Sequence, residues 1–461
     1  MTDPARATAS GGTALVVAGC VGLALACVLA FGGFDPQVLG PWFLVDATSR
    51  LFCVLINVIF LGVALHGWSR TSADPDRMLV PRRYVVLCIG LLVAANLSIT
   101  SNHFIGSWVA LECTTIFGAF LIVRADAPAS TLAAWHYFLF SSIGLGLALL
   151  GFACIARGYA SHGVGDLFIT LAAAPNDAKT SVWFTLGIAL TLLGYGAKLG
   201  LAPMYMWLPE TYEEAPPPVT SLLATVQFNC ALVGLLRVLQ AFRPGHEQLV
   251  STELVAMGIA SVALASASLI ATRTIRRLIA YASILHAGII AVGLGVGAGA
   301  GYGVLLYAVS NAFIKAMLFL TAGKIEAQYH TRDTDQIRGV IKGLPYSGLF
   351  LMAGTFALLG FPPFGSFVGE LLILSGLVRS GYLLVFATIG FLVTVTFVAT
   401  GRTVFPMIWG EPVRPVDAYP QTVLSFLPKL MFLLALVVLG LHLPGPVDAL
   451  FREVAVTLGD K

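Results

Sequence analysis

The sequence predicts an all-α fold, a polytopic transmembrane bundle of about 13 helices with two inverted five-helix repeats and two broken helices. Three observations carry this. Of 461 residues, 58% are hydrophobic and 11% charged, less than half the roughly 25% charged residues of a soluble globular chain. The mean hydropathy is +0.89. Apolar stretches of about 20 residues, long enough to span a bilayer, recur from one end to the other.

Composition also excludes some classes. A formal net charge of +3, with no basic run interleaved with aromatics, gives no basis for nucleic-acid binding. The seven cysteines (Cys20, Cys27, Cys53, Cys88, Cys113, Cys154 and Cys230) sit singly in apolar segments. Without a CxxC or Cys/His cluster they read as small buried hydrophobes rather than zinc or iron–sulfur ligands.

The spans fall at 14–33, 43–67, 84–101, 103–124, 132–156, 181–212, 217–240, 253–271, 277–298, 302–323, 346–380, 381–402 and 424–444. The first has only Arg6 before it and is too long for a signal-peptide core, so it reads as a retained helix. A tight turn at Ser101-Asn102-His103 separates the third from the fourth. Of the 26 lysines and arginines, sixteen fall in loops on the side of the N-terminus, Arg70, Arg77, Arg414 and Lys429 among them. Six fall on the other side: Arg157, Lys179, Arg243, Arg379, Arg452 and Lys461. The positive-inside rule then puts the N-terminus in the cytoplasm and the C-terminus outside, with a bacterial inner membrane as the expected location.

Two segments are too long for a simple span and are interrupted. The sixth carries Pro203 and Pro209, and the eleventh carries Pro362 and Pro363 within Gly360-Phe-Pro-Pro-Phe-Gly365. Proline removes a backbone donor and clashes with the preceding turn, so each segment reads as a discontinuous helix. The layout is an N-terminal pair of helices (1–83), a first five-helix unit (84–240), a second (253–402), and a C-terminal loop with the last helix (403–461). Each break then falls in the fourth helix of its unit. An odd number of spans inverts the second unit, and paired interruptions in inverted halves point to a transport site.

Ionisable groups at mid-bilayer cost roughly 2.5–3.5 kcal/mol each on insertion scales. Glu112, Lys198, His286, Lys315 and Glu370 are placed there despite that cost. Burial moves carboxyls and amines towards neutrality, and a nearby opposite charge reverses the effect. A Glu–Lys pair whose separation changes is therefore a proton-handling unit that titrates as a pair. The alternative reading is that these residues only glue helices together. Asp46 and Arg50, four apart, read as an interfacial helix-start pair, and Arg237 as a residue snorkelling from a helix end. His66, His103, His162, His246, His330 and His442 fall at loops or helix ends, and His136 reads as an interfacial contact. Glu210, Glu213 and Glu214 before Pro216-Pro217-Pro218 read as a solvated cytoplasmic loop.

The segment Gly196-Ala-Lys198-Leu-Gly-Leu-Ala-Pro203-Met-Tyr-Met-Trp207-Leu-Pro209-Glu210, with Glu214-Ala-Pro216 after it, resembles the antiporter-like membrane subunits of respiratory complex I. Those subunits share a family with multi-subunit sodium/proton antiporters and membrane-bound hydrogenases. Trp108-x-x-Leu111-Glu112, Arg277-Leu-Ile-Ala-Tyr281 through His286, Lys315-Ala-Met-Leu-Phe319 and Gly360 through Glu370 match in the same order. Within the family the chain most resembles hydrogenase-4 component F.

The resemblance implies a proton-translocating subunit of an ion-pumping redox complex. Glu112 and Lys198 would take protons into the half-channel, Lys315 would be the central relay, Glu370 the terminal group, and His286 a polar element between them. It implies no cofactor bound by this chain, redox cofactors on partner subunits, and partners among membrane and peripheral subunits of one complex. Departures thin the middle of the path: Tyr205, Tyr307 and Asn311 stand where the family often has histidine, and Asn229 where lysine is frequent. The family fold has fourteen helices against thirteen here. Two other classes follow: an antiporter or proton-coupled inorganic-carbon uptake module without redox chemistry, and a degenerate scaffold subunit.

Overall fold

Backbone polar groups in hydrocarbon must be satisfied within the chain, so the apolar stretches fold as helices. The computed structural model describes residues 4–32, 41–73, 81–159, 168, 181–243, 245–297, 299–412 and 423–459. Arg77, His162, Lys179, Arg414 and Lys461 lie outside the described residues. The helices are α1 (Pro4–Phe31), α2 (Ala47–Ala73), α3 (Arg82–Thr100), α4 (Phe104–Ile122), α5 (Pro128–Tyr159), α6 (Val182–Leu199), α7 (Trp207–Glu214) and α8 (Pro217–Phe242). They continue as α9 (Glu247–Ala271), α10 (Ile275–Val296), α11 (Gly301–Tyr329), α12 (Pro345–Leu358), α13 (Gly365–Arg379), α14 (Leu383–Trp409), α15 (Val423–Leu441) and α16 (Gly445–Thr457).

Among the described residues, 12 helices are long and apolar enough to cross a membrane. The broken pair α12–α13 supplies the remaining span. α16 has no counterpart in the sequence reading, because its 13 residues include Asp448, Arg452 and Glu453 and fall short of a span. It buries Leu450, Phe451 and Val454 instead.

Burial sorts the helices. α8 and α11 are buried along their whole apolar windows, whereas α1 and α14 expose most of theirs. The helices with Lys315, Asn229 and Asn311 are therefore the ones shielded from lipid. α8 also contains a π-helical turn, Leu223–Gln227, a distortion common at functional sites. Small residues bring backbones together where side chains would hold them apart. A Cβ on Gly194 of α6 would lie 2.5 Å from the Gly144 carbonyl of α5, and one on Gly303 of α11 would lie 3.0 Å from the Gly369 carbonyl of α13.

The two breaks share one local design. α6 ends at Gly200 (φ +78°), whose N–H donates to Ala197 O, while Leu201 N–H donates to Gly196 O at 2.8 Å. In the second break Gly360 (φ +68°) donates to Ala357 O, and Phe361 N–H to Phe356 O at 3.0 Å. Each is a glycine-terminated helix end of the Schellman type. Each is followed by a cis proline bond, Ala202–Pro203 and Pro362–Pro363. Buried donors freed by the breaks find partners: Ala202 N–H reaches Ser261 Oγ at 2.8 Å. Pro209 is not in the break but in the first turn of α7, where its missing N–H is tolerated.

Three sequence expectations need correction. Asp46 pairs with Arg237, not Arg50: guanidinium nitrogens lie 3.0 and 3.2 Å from its carboxylate, and Ser49 Oγ lies 2.7 Å from Arg237. Arg237 is 2% exposed, so it does not snorkel. Burial works to raise the Asp46 carboxyl, but the guanidinium and Ser49 outweigh it and hold it below the usual carboxylate range. The acidic run 210–214 is helical and paired. Glu213 meets Arg277 at 2.9 Å and Glu214 meets Arg332 at 2.9 Å. Lastly, Lys429 and His66 are buried between α15 and α2 rather than sitting in loops. Cys20 is exposed, against the expectation for the cysteines as a group.

Beside α7 the Arg276 guanidinium makes contacts of 2.6–2.9 Å to Glu326, with both groups under 9% exposed, and reaches Ala215 O at 2.7 Å. Removing one member of such a pair strands a buried charge, at a cost of about 3–5 kcal/mol. Glu326→Gln is therefore expected to lower the thermal midpoint of the detergent-solubilised protein markedly, while an exposed-pair change such as Asp126→Asn leaves it nearly unchanged.

Candidate functional site

α4 sets Glu112 and Thr115 three residues apart on one face. Ser142 of α5 donates to Glu112 Oε1 at 2.5 Å, and Glu112 Oε2 is buried without a hydrogen-bond partner among the described residues. Lys198 occupies the last turn of α6, where the carbonyl end of the helix favours a cation. Its ammonium donates to Thr115 Oγ1 at 2.6 Å and lies 5.0 Å from the centre of the Tyr137 ring. No ion pair joins Glu112 to Lys198 among the described residues; Thr115 stands between them. The Glu112 carboxylate nonetheless acts electrostatically on Lys198. Gln227, at the end of the π turn, donates to the Tyr137 hydroxyl and to Thr114 Oγ1.

The central group is Lys315, midway along α11 and 1% exposed. Its Nζ has no hydrogen-bond partner among the described residues and lies 4.3 Å from the centre of the Phe228 ring. One turn earlier, Asn311 has neither amide atom hydrogen-bonded. Asn229 donates to Thr225 O at 2.7 Å, leaving Oδ1 free. His286 of α10 hydrogen-bonds through Nδ1 to the Tyr307 hydroxyl, and its Nε2 has no partner among the described residues. Lys315 acts electrostatically on His286, and Glu370 acts on Tyr307. Glu370 itself stands against the second break, where a Cβ on Gly360 would lie 2.6 Å from its Oε2.

The five ionisable residues thus fall into two groups joined by polar side chains. Glu112 and Lys198 form one with Ser142, Thr115, Tyr137 and Gln227. Lys315, His286 and Glu370 form the other with Tyr307 and Asn311. Buried polar atoms left unpaired in a native structure call for an explanation. Here Glu112 Oε2, Asn229 Oδ1, both Asn311 amide atoms, Lys315 Nζ and His286 Nε2 all belong to these two groups.

Residues 101–396 match the family described as NADH:quinone oxidoreductase/Mrp antiporter, transmembrane. The chain belongs to this family. It is 31% identical over 441 residues to a hydrogenase-4 component F homolog of Methylacidiphilum infernorum (isolate V4), an alignment covering 92% of this chain and 90% of that one. Its fold is similar to a chain of the membrane-bound sulfane sulfur reductase, an archaeal respiratory membrane complex. That likeness has a TM-score of 0.85 at 24% identity, covering 97% of this chain and 92% of the other. A chain of the Mrp complex from Dietzia sp. DQ12-45-1b matches with a TM-score of 0.84 at 19% identity, over 98% and 93%. The chain is an antiporter-like, proton-translocating membrane subunit of this family.

Several members of this antiporter-like site escape a sequence reading. Thr115 and Ser142 carry no charge to draw attention, yet they hold Lys198 and Glu112. Tyr307 and Asn311, read as losses from the axis, touch or adjoin its central groups. Glu210, read as solvated, meets His136 at 2.7 Å.

Gly360 combines a positive φ with contact to the Glu370 carboxylate. Gly360→Ala adds a left-handed residue, a strain of roughly 1–2 kcal/mol, and pushes Glu370 aside. Proton uptake by vesicles is expected to fall while the protein still inserts; Gly381→Ala, also at positive φ but with open space around it, is expected to leave uptake intact.

Proposed function

We propose that this subunit carries protons across the membrane through Glu112, Lys198, His286, Lys315 and Glu370, as part of an ion-pumping redox complex of the hydrogenase-4 or complex-I kind. The observation that carries the reading is Lys315: an amine in the middle of a fully buried helix, with no hydrogen-bond partner among the described residues. A group serving only as helix glue would be hydrogen-bonded or ion-paired. A buried amine without a fixed partner gains or loses its proton according to which charge approaches it.

In this reading Glu112 and Lys198 take up the proton. Thr115, placed between them, lets Lys198 exchange a neutral hydroxyl partner for the carboxylate. Lys315 and His286 pass the proton on, with Tyr307 and Asn311 orienting the hydrogen bonds, since neither titrates near neutral pH. Glu370 releases it. The matched glycine-terminated breaks support two inverted units, 84–240 and 253–402. The loop charges support an N-terminus in the cytoplasm and a C-terminus outside, in a bacterial inner membrane. Redox cofactors belong to partner subunits, whose reaction biases the Glu112–Lys198 group. The 31% identity to a hydrogenase-4 component F homolog favours a hydrogenase-type complex over a stand-alone antiporter.

The test uses vesicles of the intact complex. Lys198→Met, Glu112→Gln and Lys315→Met are each expected to reduce donor-driven proton uptake to the level of inactive vesicles, with subunit composition unchanged. Normal uptake in all three would refute the relay. Sodium-dependent exchange without an electron donor would assign the chain to an antiporter instead.

A further inference from the structure

On the flank of the second unit, away from the buried axis, α9 and α14 converge with the 330–339 connection around a cleft of about 590 Å³. Its two ends differ in chemistry. One end holds Arg273, Arg338 and Arg402 against a single acid, Asp335. The other is apolar and open to the side: Ile270 is 64% and Val398 62% exposed.

The arginines are not spent on the fold. Arg402 is exposed and has no hydrogen-bond or ion-pair partner among the described residues. Arg273 pairs with Asp335 at 2.6 Å, but both side chains are more than half exposed, and such pairs add little and open readily. Arg338 uses its Nε on the Asp335 carbonyl at 3.1 Å. Val395, Val398 and Arg402 recur at three- and four-residue spacing, so one stripe of α14 runs from apolar to cationic. α9 repeats the order, with Ile270 followed by Thr272 and Arg273.

We propose that this cleft binds an anionic phospholipid, its phosphate held by Arg402, Arg338 and Arg273 and an acyl chain lying along Ile270 and Val398. An apolar wall that faces lipid and ends in clustered guanidiniums matches the two halves of such a molecule. Basic pockets between transmembrane helices recognise anionic headgroups in this way. Arginine forks suit phosphate oxygens bidentately. A soluble anion would have no use for the apolar stripe, and a zwitterionic lipid little use for three arginines against one aspartate. The lipid would tie α9 to α14, the first and last helices of the second unit.

The test is native mass spectrometry of the full-length chain, purified with whatever subunits accompany it. The probes are dioleoylphosphatidylglycerol, dioleoylphosphatidylcholine and, separately, inorganic phosphate. Wild type is expected to retain phosphatidylglycerol at least tenfold better than phosphatidylcholine. Arg402→Gln should weaken that retention about fivefold, and Arg338→Gln with Arg402→Gln should weaken it further. Arg379→Gln, an exposed arginine in the last turn of α13, should change nothing. A thermal midpoint equal to wild type reads loss of lipid as loss of recognition; if the double variant unfolds, Arg402→Gln alone decides. Equal retention of the two lipids, or retention unaffected by Arg402→Gln, overturns the proposal. So does displacement of the lipid by inorganic phosphate, which would mark a general anion site. Loss of an accompanying subunit with no change in lipid would mark a protein interface instead.

Discussion

The rest of the structure depends on keeping Lys315 and Lys198 away from lipid. A lysine facing hydrocarbon costs several kcal/mol, and these two are 1% and 3% exposed. The arrangement of helices follows from that constraint. α8 and α11 occupy the interior, while α1 and α14 present aliphatic and aromatic side chains outward. Removing the lysines from lipid does not by itself remove the cost of burying them, because neither meets a carboxylate directly. Lys198 has a threonine hydroxyl and an aromatic face, and Lys315 an aromatic face alone. The structure contrasts this with Arg276 and Glu326, equally buried and fully paired. One kind of buried charge is built to stay fixed, the other to respond.

The breaks belong to the same logic. Lys198 lies just before the first, and Glu370 just after the second with its carboxylate against Gly360. A helix that ends inside the bundle presents carbonyls on one side and N–H groups on the other, which gives nearby charges a local field that a continuous helix lacks. The glycines at Gly200 and Gly360 make the chain reversal feasible, since each adopts a positive φ that side chains with a Cβ resist. Glycine packing of α5 on α6 and of α11 on α13 then fixes the broken helices against the third helix of each unit.

Much of this was legible in the residues. Spans were visible because lipid tolerates little but apolar side chains over about 20 residues. The breaks were visible because Pro203, Pro362 and Pro363 stand in otherwise helical runs, and the five ionisable residues because such groups are rare in spans. What stayed hidden depends on long-range packing. Asp46 and Arg237 are 191 residues apart, so the nearer Arg50 looked like the natural partner. Hydropathy does not separate a helix facing lipid from one facing protein, so the burial of His66 and Lys429 could not be foreseen. Thr115 was invisible because nothing in a threonine announces that a lysine 83 residues later will reach it.

The account's central claim is that Glu112 and Glu370 change protonation as the complex works. Infrared difference spectroscopy on membranes of the intact complex during turnover tests this directly. The account predicts protonated-carboxyl bands that appear and decay with turnover, one lost in Glu112→Gln and another in Glu370→Gln. Turnover with proton pumping and no band sensitive to either substitution would contradict it.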